Sequence, residues 1–377
     1  MKVTVVLERP TQFDVPLFRL AARDSTHELR VLYTDSQAAA PAFDPELGQR
    51  VDWGSDQIEG YDCAVAPARA VHAWLRRELA GRRDLVVVNG YTQSAYLRAN
   101  AAARQVGSPT ALRLDSVLFD EGSRSRRLVK RLLFRFGVRR LFRLFLGVGT
   151  STLEYLRALG IQPARTGRFP YPVDIDGLRA RAAAALPDRQ AARGELGIPP
   201  DAQVVLAVAK LHPRETPWDL LHAWAGTASD ARWLLVVGDG PDRAAVEAFI
   251  AERRLARVLL LGYVPYPKLP ALFTLADLFV HAPREERWGV SVAEALACGR
   301  PVVAGDRVGA ARDLLRPGDN GFIYPSRDVD ALAVRVDEAL QLPSATVQAA
   351  NAAILPPWGL EATWQGLLAA AAKAGSQ

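Results

Sequence analysis

Short, nearly unbroken apolar runs recur along the chain, and stretches with helical periodicity separate them. Lys2–Leu7, Leu29–Tyr33, Cys63–Val65, Leu85–Asn89, Thr110–Leu114 and Leu144–Val148 read as strands, with Val15–Arg23, Ser94–Gln105 and Thr152–Leu159 as intervening helices. Strands without apolar/polar alternation are buried on both faces, which is the condition of a parallel sheet covered by crossover helices. A second series follows the same logic: Val204–Ala209, Trp233–Val237, Val258–Leu261, Leu278–His281 and Pro301–Ala304. Between the two lies FPYPVDIDG, Phe169–Gly177, where two prolines and a glycine punctuate an extended stretch. The pattern predicts an α/β protein of two doubly wound domains, 1–170 and 179–355, joined by a hinge at 171–178 and followed by a terminal helix within 356–377. The alanine-rich piece Ala180–Ala192 reads as a solvated helix or linker.

Within the second series, Leu278–His281 is a strand, Ala282–Trp288 a loop and Gly289–Cys298 a helix closed by Gly299. Glu286 and Glu294 stand eight residues apart across this unit. Eight helical residues turn about 800°, so two helical glutamates at that spacing would not share a face. They converge only if Glu286 is on the loop. In a strand-loop-helix unit, ligands bind outside the carboxyl end of the strand and the helix N-terminus holds an anion. The N–H groups of Trp288, Gly289 and Val290 are therefore predicted to face an anion, with one carboxylate on either side of it. A sugar, a phosphate group and a ribose fit that description. Two-carboxylate glycoside chemistry is the other role open to such a pair.

The stretch Glu286-x7-Glu294, with Trp288-Gly289 between and EALACGRPVVAG as its tail, resembles the signature of the retaining glycosyltransferases of family 4. The resemblance implies two Rossmann-like lobes of the GT-B architecture, with substrates meeting between them, and a last helix that returns to the N-terminal, acceptor-side lobe. It also implies a nucleoside diphosphate-sugar donor, a hydroxyl acceptor, no cofactor and no required metal.

Other segments take their roles from that resemblance. Lys210, just after a strand, matches a basic residue that holds the donor diphosphate. Five positions on, where the pattern has a second cation, this chain has Glu215; Arg214 is the nearest substitute. A carboxylate there repels the diphosphate that a lysine attracts. Gly238 and Asp239 of VVGDGPD, with Tyr263 and Val264 in the following loop, fall where the nucleotide lies. In the first domain Thr11, Gln12, Asp14, Arg113 and Asp115 are acceptor-side candidates; helix capping by Asp14 or Asp115 is the competing role.

Composition adds constraints. The first 170 residues carry a net charge of +9 and the remainder −3. Nine arginines and lysines with no acid lie between Arg124 and Arg143, interleaved with Leu128, Leu132, Leu133 and Phe136 at helical spacing. Segment 123–143 is thus a basic amphipathic helix, suited either to anionic lipid headgroups or to a core-facing apolar side with solvated arginines. Nucleic acid is not expected, because no aromatic stacking platform accompanies the charge. Cys63 and Cys298 form neither a bridge framework nor a metal-ligand spacing, and no run is long enough to span a bilayer. The expected location is the cytoplasm, with peripheral contact at the inner face of the membrane. The expected activity is sugar transfer to a lipid-linked envelope glycan. Transfer to a soluble metabolite, sugar-nucleotide epimerisation or hydrolysis, and donor binding without transfer are the alternatives, the last suggested by Glu215.

Overall fold

The computed structural model describes residues 1–44, 47, 49–51, 55–118, 124–226 and 231–376. In chain order the strands are β1 (Lys2–Leu7), β2 (Glu28–Tyr33), β3 (Ala42–Asp44), β4 (Gln49–Val51), β5 (Cys63–Val65), β6 (Leu85–Val88), β7 (Thr110–Leu114), β8 (Leu144–Gly147), β9 (Thr166–Arg168), β10 (Gln203–Val208), β11 (Arg232–Val237), β12 (Val258–Gly262), β13 (Leu278–His281), β14 (Val302–Gly305) and β15 (Gly321–Tyr324). One sheet runs β5-β2-β1-β6-β7-β8-β9 and the other β12-β11-β10-β13-β14-β15, with parallel pairing throughout; β3 and β4 pair only with each other. These are two doubly wound domains, as the apolar runs predict.

Residues Met1–Ala42, Asp52–Asp174 and Pro357–Gln377 form one compact unit, and Phe43–Val51 with Ile175–Pro356 form the other. The first sheet shows why its strands do not alternate. Val3 and Val5 of β1 pack on one side with Leu17, Phe18, Trp364 and Leu367, while Val6 packs on the opposite side with Trp74, Tyr96 and Tyr155. Helices cover both faces, so each strand position meets apolar neighbours. Trp364 and Leu367 belong to the terminal helix Leu360–Ser376, which closes one face of this sheet.

One feature departs from the sequence reading. The hairpin β3–β4, encoded inside the first domain, groups with the second unit; too short and polar to register as a strand pair, it gives no periodic signal. The Ala180–Ala192 stretch is helical and mostly exposed, the solvated helix of the sequence reading. It lies in the helices Ile175–Ala185 and Arg189–Glu195, where Arg189 and the buried Arg193 both pair with Asp277 and Arg193 also donates to the carbonyls of Leu275 and Ala202.

Candidate functional site

In the second sheet β10 and β13 are neighbours, with Val205 opposite Leu278 and Leu206 opposite Phe279. Sequence order runs outward from this pair in both directions, so the loops after β10 and β13 flank a topological switch point, where open α/β sheets bind ligands. Lys210 and Glu215 stand on the first loop, and Glu286 stands on the second. A backbone hydrogen bond from Arg284 N–H to the Arg214 carbonyl, at 2.9 Å, ties the two loops together.

Glu286 is fixed through its backbone. Its N–H donates to the Arg307 carbonyl at 3.0 Å, and its own carbonyl accepts from Gly309 N–H at 3.1 Å. The loop then turns at Gly289, whose φ of +92° only glycine adopts without strain and where a Cβ would lie 3.0 Å from Val308 and 3.1 Å from His281 Nε2. That turn opens the helix Val290–Ala297, so Gly289 caps a helix N-terminus whose first N–H groups have no intrahelical partner. Trp288 N–H faces Glu286 Oε1 at 3.5 Å and Trp288 is buried, which makes Gly289 and Val290 the better-placed donors of the three expected from the sequence. Burial, and then the charge of Glu215, push the Glu286 carboxyl up to about 7. Arg214, exposed on the same loop as Glu215, pulls the other way.

Glu294 lies one turn inside the helix and is 4% exposed. Burial raises its carboxyl to about 7, opposed by a hydrogen bond from the Tyr266 hydroxyl and by Arg181. Its Oε1 is buried with no hydrogen-bond partner. A buried acceptor left open costs about 1–3 kcal/mol, which a ligand hydroxyl would recover. Tyr266, which holds the carboxylate, carried no spacing signal in the sequence. Below the same helix Cys298 is buried beside Glu294, and its thiol is pushed up to about 12, chiefly by burial, so it remains a neutral packing group.

The loop after β10 is shaped by the glycine turn after β11. Gly238, at φ +138°, lets the backbone approach so closely that a Cβ would lie 1.8 Å from the Ala209 carbonyl oxygen. Asp239 then accepts through its carbonyl from Leu211 N–H at 2.9 Å, and its side chain caps Gly240 N–H at 2.8 Å. Gly238 and Asp239 thereby position the Lys210 loop. Lys210 itself is occupied, with its Nζ 3.1 Å from Asp44 Oδ2 on the β3–β4 hairpin. Glu215, where a second cation was expected, lies 3.3 Å from His212 Nε2. Tyr263 and Val264 follow β12 and are half-buried. No group of three or more His, Cys, Asp or Glu able to hold a metal occurs among the described residues.

Residues 188–355 match the family described as glycosyl transferases group 1. The 2-deoxystreptamine N-acetyl-D-glucosaminyltransferase of Streptomyces fradiae is 29% identical over 325 residues, covering 83% of this chain and 73% of that protein. The fold carries the rest of the comparison: the Anabaena Alr3699/HepE structure in complex with UDP superimposes with a TM-score of 0.76 at 19% identity, covering 98% of both chains. Residues 188–355 thus resemble group 1 glycosyl transferases, and the fold is that of GT-B glycosyltransferase structures. The D-inositol 3-phosphate glycosyltransferase of Mycobacterium tuberculosis (strain ATCC 25177 / H37Ra) is 31% identical over 207 residues, covering 53% of this chain and 41% of that protein. The chain therefore spans less than half of this relative. WaaG, a glycosyltransferase involved in lipopolysaccharide biosynthesis, gives a TM-score of 0.64 at 16% identity, covering 97% of this chain and 99% of that one.

In the first unit, two acceptor-side candidates are each other's partners. Arg113 is 1% exposed, and its Nη1 lies 3.0 Å from Asp14 Oδ1. Its remaining N–H groups donate to the carbonyls of Phe169, at 3.2 Å, and Pro170, at 2.7 Å, and its guanidinium stacks 4.1 Å from the Phe169 ring. Three of the five guanidinium N–H groups are bonded in this way and the side chain is buried, so Arg113 and Asp14 hold the end of the first unit together. Thr11 Oγ1 caps the Asp14 N–H at 3.1 Å and donates to Asp14 Oδ2 at 3.0 Å. Asp115, half-buried, accepts from the Tyr171 hydroxyl at 3.2 Å; Gln12 is half-buried beside Thr11.

The basic segment forms the helix Arg124–Leu133, a π-helical turn Phe134–Val138 and a short helix Arg139–Leu141. Ser123 and the side chains of Arg124, Arg126 and Arg127 lie outside the described residues. Its apolar positions do not all turn to the core: Phe134 and Val138 are buried, but Leu128 is 59%, Val129 66% and Phe136 60% exposed, and Leu132 and Leu133 are exposed with them. No helix among the described residues is long and apolar enough to cross a membrane.

Proposed function

We propose that the chain is a retaining hexosyltransferase that moves a sugar from a nucleoside diphosphate donor to a hydroxyl group without a metal. The observation that carries this reading is the buried, open Oε1 of Glu294 behind a helix N-terminus with Glu286 at its mouth. Glu294 accepts the ribose hydroxyls of the donor. The Gly289 and Val290 N–H groups and Lys210 meet the diphosphate, where negative charge develops as the anomeric bond breaks; donors fixed in advance stabilise that charge without reorganising. Glu286 orients the sugar through its hydroxyls. A nucleotide-sugar donor is supported by the neighbours of the same fold that were solved with UDP and with UDP-glucose.

The exposed Leu128, Val129 and Phe136 within a basic segment support an acceptor met at an anionic lipid surface, as in envelope glycan synthesis, with the protein peripheral to the inner face of the membrane. Similarity to a 2-deoxystreptamine N-acetyl-D-glucosaminyltransferase over most of the chain supports the second reading, a soluble acceptor. The test of transfer is Glu286→Gln: kcat should fall about a hundredfold or more while the dissociation constant for the nucleoside diphosphate stays within a few-fold. Unchanged turnover would remove Glu286 from the reaction.

A further inference from the structure

The first unit holds a pocket of about 570 Å³ lined by Arg82, Arg104, Arg140, Arg143 and Arg165, with Ser108 and Thr110 at its floor and no carboxylate in its wall. It opens at the amino edge of the sheet, where Thr110 starts β7, Arg143 precedes β8 and Arg165 precedes β9. The loops after β10 and β13 lie in the other unit, so this pocket is no part of the donor site.

Arginines at this edge have an ordinary use, because crossover helices end here and expose carbonyls. Arg165 is spent in that way, donating to the carbonyls of Arg139, at 2.7 Å, Arg143, at 3.1 Å, and Phe142. The others are not. Arg82 and Arg104 have no hydrogen bond or ion pair among the described residues, and Arg140 makes only a long contact, 3.4 Å, with the Phe136 carbonyl. Arg143 Nε is buried with no partner. The charges also act on one another: Arg165 is held below its ordinary range by burial and then by Arg139 and Arg143. A small-molecule-sized hollow walled by uncompensated guanidinium groups is chemically specific, since the planar fork of arginine matches phosphate oxygens.

We propose that this pocket binds an anion carrying two or more phosphate groups, through Arg82, Arg104, Arg140 and the unpartnered Nε of Arg143.

The experiment uses the full chain without nucleotide, titrates inorganic pyrophosphate while following thermal stability, and runs Lys210→Gln in parallel as the donor-site control. Pyrophosphate should raise Tm in wild type and in that control, and the double variant R104E/R140E should weaken its binding about tenfold or more. Both residues are exposed, and the milder pair R82Q/R104Q, read in the same way, covers any folding defect of the first. A parallel arm measures flotation with phosphatidylglycerol vesicles. Loss of the soluble response in the variants assigns a free phosphate ligand; vesicle binding lost in the variants, without a soluble response, assigns a lipid headgroup. Pyrophosphate and vesicle responses identical in wild type and both variants would overturn the proposal.

Discussion

Glu294 and Glu286 are acids held near neutral pKa by burial, and this has a sign. Both carboxyls sit at about 7 in the folded chain against 4.5 as the ordinary value. An acid whose folded pKa is raised keeps its full contribution below the unfolded pKa and loses it as pH climbs through the folded one. Stability should therefore decline from about pH 4.5 to about pH 7, and Glu294→Gln, which still accepts from Tyr266, should flatten that decline and stabilise the chain at pH 8 by up to about 3 kcal/mol. Calorimetric unfolding at pH 5 and pH 8 reads the difference directly; parallel wild-type and variant curves would mean that Glu294 is solvated. The same variant should weaken nucleoside diphosphate binding, since a Gln amide is a poorer acceptor for ribose hydroxyls than a carboxylate.

At the scale of elements, the site is two loops and a glycine-pinned helix. Gly289→Ala forces a side chain into left-handed backbone and against Val308 and His281, a cost of about 1–2 kcal/mol that a Tm measurement would show. The β3–β4 hairpin offers a different test. Asp44 holds Lys210 where the diphosphate is proposed to bind, so Asp44→Asn should raise nucleoside diphosphate affinity about twofold to fivefold, the worth of a partly exposed ion pair. Weaker binding in that variant, measured by titration calorimetry, would instead make Asp44 the group that orients Lys210. These elements also show what the sequence could express. Central strands and the loop-helix unit from Glu286 to Glu294 are local: apolar runs and glycine punctuation encode them. Asp44 with Lys210 and Asp14 with Arg113 are partners brought together from 166 and 99 positions apart, and no spacing rule reaches that far. The resemblance offered Asp14 and Arg113 as acceptor-side residues or helix caps, and their pairing with each other was not among those readings. Gly289 marks the helix start in the sequence, but that a side chain there would meet Val308 and His281 is not contained in the local pattern.

For the whole molecule, charge and apolar exposure coincide in the first unit. Its +9 excess and the uncovered Leu128, Val129, Leu132, Leu133 and Phe136 predict flotation with anionic vesicles that weakens as ionic strength rises. Replacing Leu128, Leu132 and Phe136 by Gln should abolish flotation while leaving Tm nearly unchanged, because those side chains already face solvent. Vesicle binding that survives the triple change would place the contact elsewhere.

The helix Leu360–Ser376 returns to the first unit, so Trp364 and Leu367 complete a core begun by Val3 and Val5. The order in which the ribosome delivers the chain then matters. Ile175–Pro356 precedes the last helix in the chain, whereas the face of the first sheet that carries Val3 and Val5 lacks Trp364 and Leu367 until that helix is made. A variant truncated after Pro356 should give a protease-resistant fragment from the second unit and none from the first.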